Sequence, residues 1–195
     1  MKQPTKKGRN PFCFAIIGCP GSGKTTFANS LIDKELANGG KALILNIDFS
    51  DWHDVPHMNG DNPDVYKYTN EVRKIIGPNT KHWNFISTEF RNGLIIAEEC
   101  RHYVPKEILS EPSLQKIMQR KRQYAIDLAF LAHGVTQLPP GLMPFFTHFI
   151  QFATLDSIDK RRTELGQWYP LLKNGESIIN RERKKNPYYH IIHEL

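Results

Sequence analysis

One segment near the start of the chain constrains its fold more than any other: residues 14–27 read FAIIGCPGSGKTTF. Four apolar residues lead into a glycine-rich turn with the spacing G-x-x-x-x-G-K-[ST], which is filled by Gly18, Gly23, Lys24 and Thr25. Glycines let successive backbone N–H groups turn towards an anion, and the lysine reaches the β and γ phosphates of a nucleotide. The helix that follows directs its positive end at the same phosphates. The segment therefore predicts a triphosphate-binding loop.

The predicted nucleotide contacts cover the loop and the first turn of its helix. We expect ATP to be bound by Gly18, Gly21, Ser22, Gly23, Lys24, Thr25 and Thr26. Lys24 is also expected to act in catalysis through its contact with the β and γ phosphates. The Thr25 hydroxyl is expected to coordinate Mg²⁺, so ATP and Mg²⁺ are the predicted cofactors.

The hydrophobic pattern predicts an α/β fold. Short apolar runs typical of buried strands occur at residues 12–17, 41–48, 92–100, 126–134 and 148–154. Helices or turns separate these runs, and the first is a helix over 25–36 that ends at NGG. We therefore expect a mostly parallel sheet flanked by helices, the RecA/ASCE-like fold of P-loop NTPases.

Three other segments carry secondary-structure signals. Residues 65–76 predict a surface helix, and residues 112–123 predict a basic helix. Residues 176–195 contain two β-like pieces around KKNP, which predict a C-terminal β-hairpin. The expected organisation is a basic arm at 1–11 and a single P-loop ATPase domain at 12–195. Within that domain we expect a core at 12–155 and a C-terminal extension at 156–195.

Composition bounds the compartment and the partners. The chain has 195 residues, a net charge of +6 and three cysteines. The charge mildly favours a polyanionic partner, and the absence of a C-x-x-C pair fits a reducing compartment. The N-terminus lacks the apolar core of a signal peptide, and no apolar run approaches the roughly 20 residues of a membrane span. We expect a cytoplasmic protein without a transmembrane segment.

The apolar run that begins at residue 92 ends in two carboxylates, Glu98 and Glu99. A P-loop site needs a carboxylate at a neighbouring strand end to hold Mg²⁺ through water, and hydrolases add a second that orients the attacking water. Glu98 fits the metal role and Glu99 the catalytic role. Asp48, at the end of another predicted strand, either supports the metal or the substrate or caps a turn.

A polar residue at the tip of a central strand can sense the γ phosphate or the attacking water. His133 ends the run DLAFLAH and is the first candidate for this role. Gln137 follows four residues later and competes with it. A structural histidine is the alternative reading at position 133.

Several basic residues are candidates for contact with phosphate. Arg120, Lys121 and Arg122 precede the strand at 126–134, and Arg161 and Arg162 follow the last predicted parallel strand. In ring ATPases an arginine from a neighbouring subunit completes the charge clamp on the γ phosphate. A solvated helix face and a contact with DNA are the alternatives for residues 120–122, and solvent is the alternative for the later pair.

The order of these motifs resembles the HerA/FtsK superfamily of pumping ATPases. The matching segments, within residues 12–155, are GCPGSGKTT, GLIIAEECRHYVP, RKRQYAIDLAFLAHGVTQLPPGL and HFIQFAT. The resemblance implies that Glu98 and Glu99 occupy the Walker B positions. It also implies that Arg122 is the trans-acting arginine finger, although Arg120, Arg161 and Arg162 remain open for that role. His133 stands where the superfamily usually has a Gln sensor, which is a departure from the pattern.

The same resemblance implies a function. Members of the superfamily form rings, commonly hexamers, and move DNA or protein through a central channel. This compact basic chain is similar to the genome-packaging ATPases of membrane-containing icosahedral viruses. The resemblance thus implies a hexameric or pentameric ring that packages viral DNA into a procapsid. Capsid or membrane vertex proteins are the implied partners, in the host cytoplasm or the virion.

Two other functions fit parts of the sequence. A kinase of a small molecule or polynucleotide would use Asp48 to hold an acceptor hydroxyl and the basic segment KIMQRKRQ as a lid over the phosphates. A nucleotide-dependent switch or adaptor would hydrolyse slowly and without stimulation by nucleic acid. The paired glutamates favour the hydrolase.

Overall fold

A computed structural model describes residues 10–48 and 52–194. Over these residues, seven strands form one sheet: β1 (Cys13–Ile17), β2 (Lys41–Asn46), β3 (Val72–Ile76), β4 (Gly93–Ala97), β5 (Ile126–Ala132), β6 (His148–Gln151) and β7 (Ile191–Glu194). Their spatial order is β3-β2-β4-β5-β1-β6-β7. All neighbours run parallel except β6 and β7, which are antiparallel. The sheet confirms the predicted, mostly parallel α/β fold.

Helices cover the two faces of the sheet unequally. In the described part of the chain they are α1 (Lys24–Ala37), α2 (Thr80–Glu89), α3 (Pro112–Tyr124), α4 (Arg162–Leu165) and α5 (Trp168–Glu182). One face packs against α1 through Ala28 and Ile32. The other face packs against α2, α3 and α5 through Trp83, Ile117 and Trp168. Because successive strand residues point to opposite faces, burial of both faces requires the continuous apolar runs of the central strands.

All five strands predicted from apolar runs are present and mutually parallel in the sheet. Most end earlier than predicted, because the chain turns into loops at the carboxyl edge of the sheet. The predicted helices at 25–36 and 112–123 are confirmed as α1 and α3.

The surface helix predicted over 65–76 is wrong. The chain forms a short 3₁₀ helix at Pro63–Lys67 and then the edge strand β3, which pairs in parallel with β2. Asn70 lies between them with φ 53, so a right-handed helix cannot continue through it. Lys74 of β3 is buried, and its Nζ donates to Trp52 O at 2.9 Å. Because a lysine is usually exposed, Lys74 made the sequence of this strand look like that of a surface helix.

The predicted C-terminal β-hairpin is also wrong. Its first half belongs to α5, which buries Leu172 and Ile179. Its second half is β7, which pairs with β6 so that Ile191 lies opposite Gln151. The β-like pattern at the end of the chain was therefore correct, but its partner is a distant strand of the main sheet.

One helix carried a signal that the sequence analysis did not use. Asn79 caps α2, and its side chain accepts from the backbone N–H groups of Lys81 and His82. The Asn79 backbone N–H in turn donates to His82 Nδ1 at 3.2 Å, which completes a capping box. Asparagine at this position is a strong helix-start signal.

The structure describes little of the predicted basic arm but does bear on membrane spans. Most of the arm predicted at 1–11 lies outside the described residues. Across 10–48 and 52–194, no helix has the length and apolar content needed to cross a membrane.

Lys41 begins β2 with a buried ammonium group. The residue is 4% exposed, its Nζ donates to Tyr66 O at 2.6 Å, and it lies 4.6 Å from the ring centroid of Phe90. Burial lowers the pKa of Lys41 to about 8, and the charges of Arg91 and Arg73 act in the same direction. The low-dielectric surroundings therefore disfavour its charged form.

We predict that Lys41 makes stability depend on pH. Between about pH 8 and the ordinary pKa of 10.5, the unfolded chain binds a proton at Lys41 that the folded chain lacks. The contribution of Lys41 to the free energy of unfolding therefore rises with pH over this window. Lys41→Met removes that contribution. The difference in free energy of unfolding, variant minus wild type, should therefore be about 1–3 kcal/mol larger at pH 7 than at pH 10. Denaturant unfolding at both pH values tests this, with the exposed Lys34→Met as the control. Parallel pH profiles for wild type and Lys41→Met would contradict it.

Candidate active site

The order of three strands brings the predicted site residues to one edge of the sheet. β5 lies between β1 and β4, with Ala132 opposite Ile17 and Phe130 opposite Ala97. Because all three strands are parallel, the segments that follow them emerge at the same carboxyl edge. These segments are the glycine-rich loop, the two glutamates and His133. The site is therefore assembled by sheet pairing from parts that are distant in sequence.

The glycine-rich loop closes around Lys24. The Nζ of Lys24 donates to Gly18 O at 2.7 Å and to Cys19 O at 3.2 Å. Gly21 and Gly23 have φ values of 74 and 102, in the left-handed region that favours glycine. Gly23 is the N-cap of α1 and provides no side-chain cap. The N–H groups of the first helical turn are thus directed towards the loop, as an anion site requires.

Close packing under the loop requires glycine at position 18. A Cβ at Gly18 would lie 2.5 Å from Ser22 Oγ and 2.6 Å from Phe152 Cβ. Ser22 Oγ is buried and has no hydrogen-bond partner among the described residues. Buried hydroxyls are normally paired, so Ser22 is an exception that the described residues around the loop do not satisfy.

A cavity of about 260 Å³ lies between the loop and the strand ends. Its lining brings together six predicted site residues: Gly21, Lys24, Thr25, Glu98, Glu99 and His133. Hydroxyl and carboxylate oxygens are the protein ligands that Mg²⁺ prefers. The Thr25 hydroxyl and the Glu98 carboxylate therefore fit a magnesium ion by their chemistry.

Glu98 is buried and fixed in position by two aromatic side chains. It is 7% exposed, and Trp52 Nε1 donates to its Oε2. The Tyr103 hydroxyl lies 2.8 Å from Glu98 O and 2.9 Å from Leu45 O. Burial raises the pKa of Tyr103 well above its ordinary value, so its hydroxyl remains a donor. Sequence reasoning missed Trp52 and Tyr103, because nothing in their spacing indicates contact with Glu98.

Glu99 lies between two histidines. Its Oε1 is 3.0 Å from His133 Nε2, and its Oε2 is 3.5 Å from His102 Nε2. A carboxylate only accepts, so His133 Nε2 carries the proton of this hydrogen bond. His133 Nδ1 is buried without a partner in the described chain. Glu99 itself has φ 47, a left-handed conformation that costs free energy for a residue with a Cβ and that clusters at functional sites.

The structure separates His133 from Gln137, its competitor. His133 contacts Glu99 and lines the cavity beside the loop. The Gln137 side chain instead accepts from the His133 backbone N–H at 3.2 Å and lines a different cavity. Of the two, His133 is the residue placed to contact a group bound between Lys24 and Glu99.

That second cavity, of about 230 Å³, is rich in cations. We call the four basic residues in its lining the basic cluster: Arg101, His102, Lys106 and Arg161. Arg161 Nη2 donates to Thr136 O at 3.0 Å, which ties the cluster to the segment after β5. Sequence reasoning found Arg161 but missed the others. The available signal was three basic residues within RHYVPK, one residue after the two glutamates.

The other arginine candidates lie elsewhere. Arg120 and Arg122 are exposed at the C-terminal end of α3, which leads into the start of β5. Since β5 has seven residues, they lie roughly 20 Å along the strand from the edge that carries the cavity. The Arg162 guanidinium faces the Tyr169 ring at 5.0 Å. None of these three belongs to the residues that line the phosphate-loop cavity.

Comparison with known proteins matches this fold to solved viral NTPases. No protein-family model matches the sequence. The structure is similar to the genome packaging NTPase B204 from Sulfolobus turreted icosahedral virus 2 in complex with AMPPCP, with a TM-score of 0.73, 12% identity and coverage of 94% of this chain and 92% of that chain. The structure is also similar to B204, the DNA-packaging ATPase from Sulfolobus Turreted Icosahedral Virus. That comparison has a TM-score of 0.69 and 18% identity, and it covers 95% of this chain and 94% of that chain.

A bacterial protein shares part of the fold. The N-terminal domain of zonular occludens toxin from Neisseria meningitidis gives a TM-score of 0.52 and 20% identity, over 75% of this chain and 79% of that domain. The resemblance inferred from the sequence motifs is thus confirmed at the level of the fold, which is that of a P-loop NTPase.

Proposed function

We propose that this chain is an ATP-hydrolysing DNA translocase that packages a viral genome as a ring oligomer. One observation carries the proposal. The phosphate loop, two glutamates and His133 line a single cavity, and a hydrogen bond of 3.0 Å joins Glu99 to His133. This arrangement supplies a phosphate site, a metal ligand and a polarised carboxylate in one place.

ATP binding is assigned to the loop and the start of α1. The backbone N–H groups of Gly21, Gly23 and the first turn of α1 would face the phosphates, because those of Gly18, Cys19 and Ser22 already donate to carbonyls. Lys24 exchanges its contacts with loop carbonyls for the β and γ phosphates. Thr26 follows on α1, where its position suits the α phosphate.

Thr25 and Glu98 would hold the magnesium ion, Glu98 through water. When bound, the ion neutralises the charge on the β and γ phosphates. The hydrogen bond from Trp52 keeps the Glu98 carboxylate directed into the cavity. Glu98 therefore acts as a fixed ligand.

Hydrolysis is assigned to Glu99. Its carboxylate orients the attacking water and takes up its proton as a general base. His133 donates to Glu99 Oε1 and so fixes the direction of the carboxylate, and the same ring is close enough to the cavity to respond to the γ phosphate. His133 thus takes the place of the Gln sensor expected from the HerA/FtsK resemblance.

DNA binding is assigned to the basic cluster. Arg101 and Lys106 are exposed and have no acidic partner among the described residues, so their charges are available to a polyanion. His102 belongs to the cluster and also lies 3.5 Å from Glu99. A DNA phosphate in the cluster would therefore act close to the catalytic carboxylate. The packaging role of the similar B204 proteins supports DNA as the partner.

A ring explains the position of Arg122. This residue is exposed at the edge of the sheet opposite the nucleotide cavity of its own subunit. It can contact a γ phosphate only across a subunit boundary, as a trans-acting finger does. We therefore assign the finger to Arg122, with the hexamer or pentamer of the superfamily as the expected ring.

The kinase alternative is weakened by α3. The segment KIMQRKRQ, the candidate lid, lies within this helix, which buries Leu114, Ile117 and Met118 against the sheet. A lid must move over the phosphates. This helix is part of the core and ends at the wrong edge of the sheet.

We predict that Glu99→Gln binds ATP but hydrolyses it at least about 100-fold more slowly than wild type, because the amide cannot take up a proton from water. Wild-type hydrolysis should be stimulated by DNA, and the stimulation should fade as salt is raised. Steady-state hydrolysis with and without DNA, together with equilibrium ATP binding, tests both points. Lys24→Ala is the control that loses nucleotide binding. Normal hydrolysis by Glu99→Gln would refute its catalytic role, and hydrolysis indifferent to DNA would favour the kinase or the switch.

We predict that Arg101→Ala with Lys106→Ala reduces the salt dependence of DNA binding. Each lost phosphate contact should lower the slope of log affinity against log salt by about 1, so the double variant should lose about 2. Fluorescence anisotropy with a DNA duplex over a salt series measures the slope. The control is Lys67→Ala with Lys81→Ala, which removes the same charge from exposed ion pairs with Asp64 and Asp61. Equal losses in both double variants would mean that only net charge matters.

We predict that Arg122→Ala and Lys24→Ala complement each other. Each variant alone should be inactive, because one lacks the finger and the other lacks the phosphate contact. Mixed rings contain interfaces with an intact Lys24 from one subunit and an intact Arg122 from the next, so mixing should restore a fraction of the activity. Arg120→Ala, which removes another exposed arginine two residues earlier on α3, is the matched surface control. An inactive mixture would argue against a site shared between subunits.

A further inference from the structure

The antiparallel strand β7 begins at the nucleotide edge of the sheet. Gln151, the last residue of β6, lies opposite Ile191, the first residue of β7. The residues just before Ile191 therefore lie beside Phe152, which follows β6 at the same edge as the phosphate loop. Tyr188 and His190 are the side chains placed there.

These residues enclose a cavity of about 350 Å³ that the assigned chemistry does not use. Three aromatic rings form its wall: those of Phe27, Phe152 and His190. The His190 ring lies 4.7 Å from that of Phe152 at an interplanar angle of 32°, and 5.4 Å from that of Phe27 at 74°. Tyr188 completes the lining and is 61% exposed. An exposed aromatic beside an aromatic wall is suited to stacking against a flat ring.

The aromatic cavity and the phosphate cavity lie on two sides of the same helical turn. Lys24 and Thr25 line the phosphate cavity, whereas Gly23 and Thr26 line the aromatic cavity. Successive residues of a helix project about 100° apart, so one turn can serve both. A molecule with phosphates on the loop and a flat ring attached to them would span the two sites across Thr26.

Gly23 allows the two sites to be so close. A Cβ at this position would lie 3.4 Å from Phe152 Cε1 and 3.4 Å from Tyr188 Cδ1. The φ of 102 also favours glycine. The glycine required by the phosphate-loop motif thus also brings the aromatic rings up to the loop.

We propose that this cavity is the nucleobase subsite, and that the C-terminal segment at Tyr188–His190 therefore forms part of the nucleotide site. The inference rests on the nucleotide-binding part of the proposed function. The base stacks on Tyr188 and on the wall formed by His190 and Phe152.

A hydrogen bond orients the His190 ring in this wall. Its Nδ1 lies 3.2 Å from Tyr188 O, a carbonyl that only accepts, so Nδ1 carries the proton of this hydrogen bond. The contact joins the two residues between which the base is proposed to stack.

Binding with and without a base tests the inference. The full chain is titrated by calorimetry with inorganic tripolyphosphate and with ATP in the form of its non-hydrolysable β,γ-methylene analogue, both with Mg²⁺. Tyr188→Ala should weaken ATP about tenfold, a typical loss for a base–aromatic stack, and leave tripolyphosphate unchanged. Tyr188→Phe keeps the ring and should restore the affinity for ATP. Tyr189→Ala, an adjacent tyrosine outside the cavity lining, is the matched control and should bind ATP as wild type does.

Each alternative outcome has a distinct meaning. If Tyr188→Ala binds ATP as tightly as wild type, or weakens ATP and tripolyphosphate equally, the base does not lie in this cavity and the inference is overturned. If wild type binds neither ligand, the proposed function fails at nucleotide binding, before the subsite is in question. Because the readout is equilibrium binding, it does not depend on hydrolysis, DNA or ring formation.

Discussion

The position of β5 between β1 and β4 is the constraint on which the candidate site depends. It places His133 between the phosphate loop and the two glutamates, so that a ring from one strand end can contact a carboxylate from the next. The register is held by burial on both faces: Leu128 and Phe130 face one core, and Ala129 and Leu131 face the other. A shift of one residue would exchange these faces, so the same packing that stabilises the sheet also fixes the site.

The neighbouring glutamates Glu98 and Glu99 have different surroundings. Glu98 is buried, and its carboxylate is held by the indole of Trp52. Glu99 has a side chain that is 35% exposed, a strained backbone and two histidine neighbours. A fixed carboxylate suits a metal ligand, whereas a partly exposed one can reach and orient a water molecule. This difference in environment supports different roles for two identical residue types.

The sequence was sufficient where local pattern and position agree. The loop from Gly18 to Thr25 and the five apolar strands follow from spacing and from burial on both faces, and Glu98 and Glu99 follow from their place at a strand end. The sequence was insufficient where the structure of a segment depends on pairing with a strand that is distant in the chain. Residues 65–76 became an edge strand because β2 offered a partner, and the last residues paired with β6 instead of forming a hairpin. Trp52, His102 and Tyr188 have no motif of their own, so only the folded chain brings them to the site.

The aromatic cavity flanks the phosphate cavity across the first turn of α1, and the basic cluster flanks it beside Glu99. The contacts at these two borders bear on how a motor of this type would be coupled. Thr26 and Gly23 connect the aromatic cavity to the phosphate loop, and His102 connects the basic cluster to Glu99. The Glu99 carboxylate has two oxygens, one bonded to His133 and the other near His102. A carboxylate can accept about four hydrogen bonds, so an oriented water would join these contacts and compete with them for the best geometry. A single hydrogen bond is worth only about 0.5–1.5 kcal/mol. A DNA phosphate that attracted His102 would change the balance by an amount of that size. Coupling between DNA and hydrolysis in the proposed motor can therefore arise from one side chain shared between two sites, without a large rearrangement of the sheet.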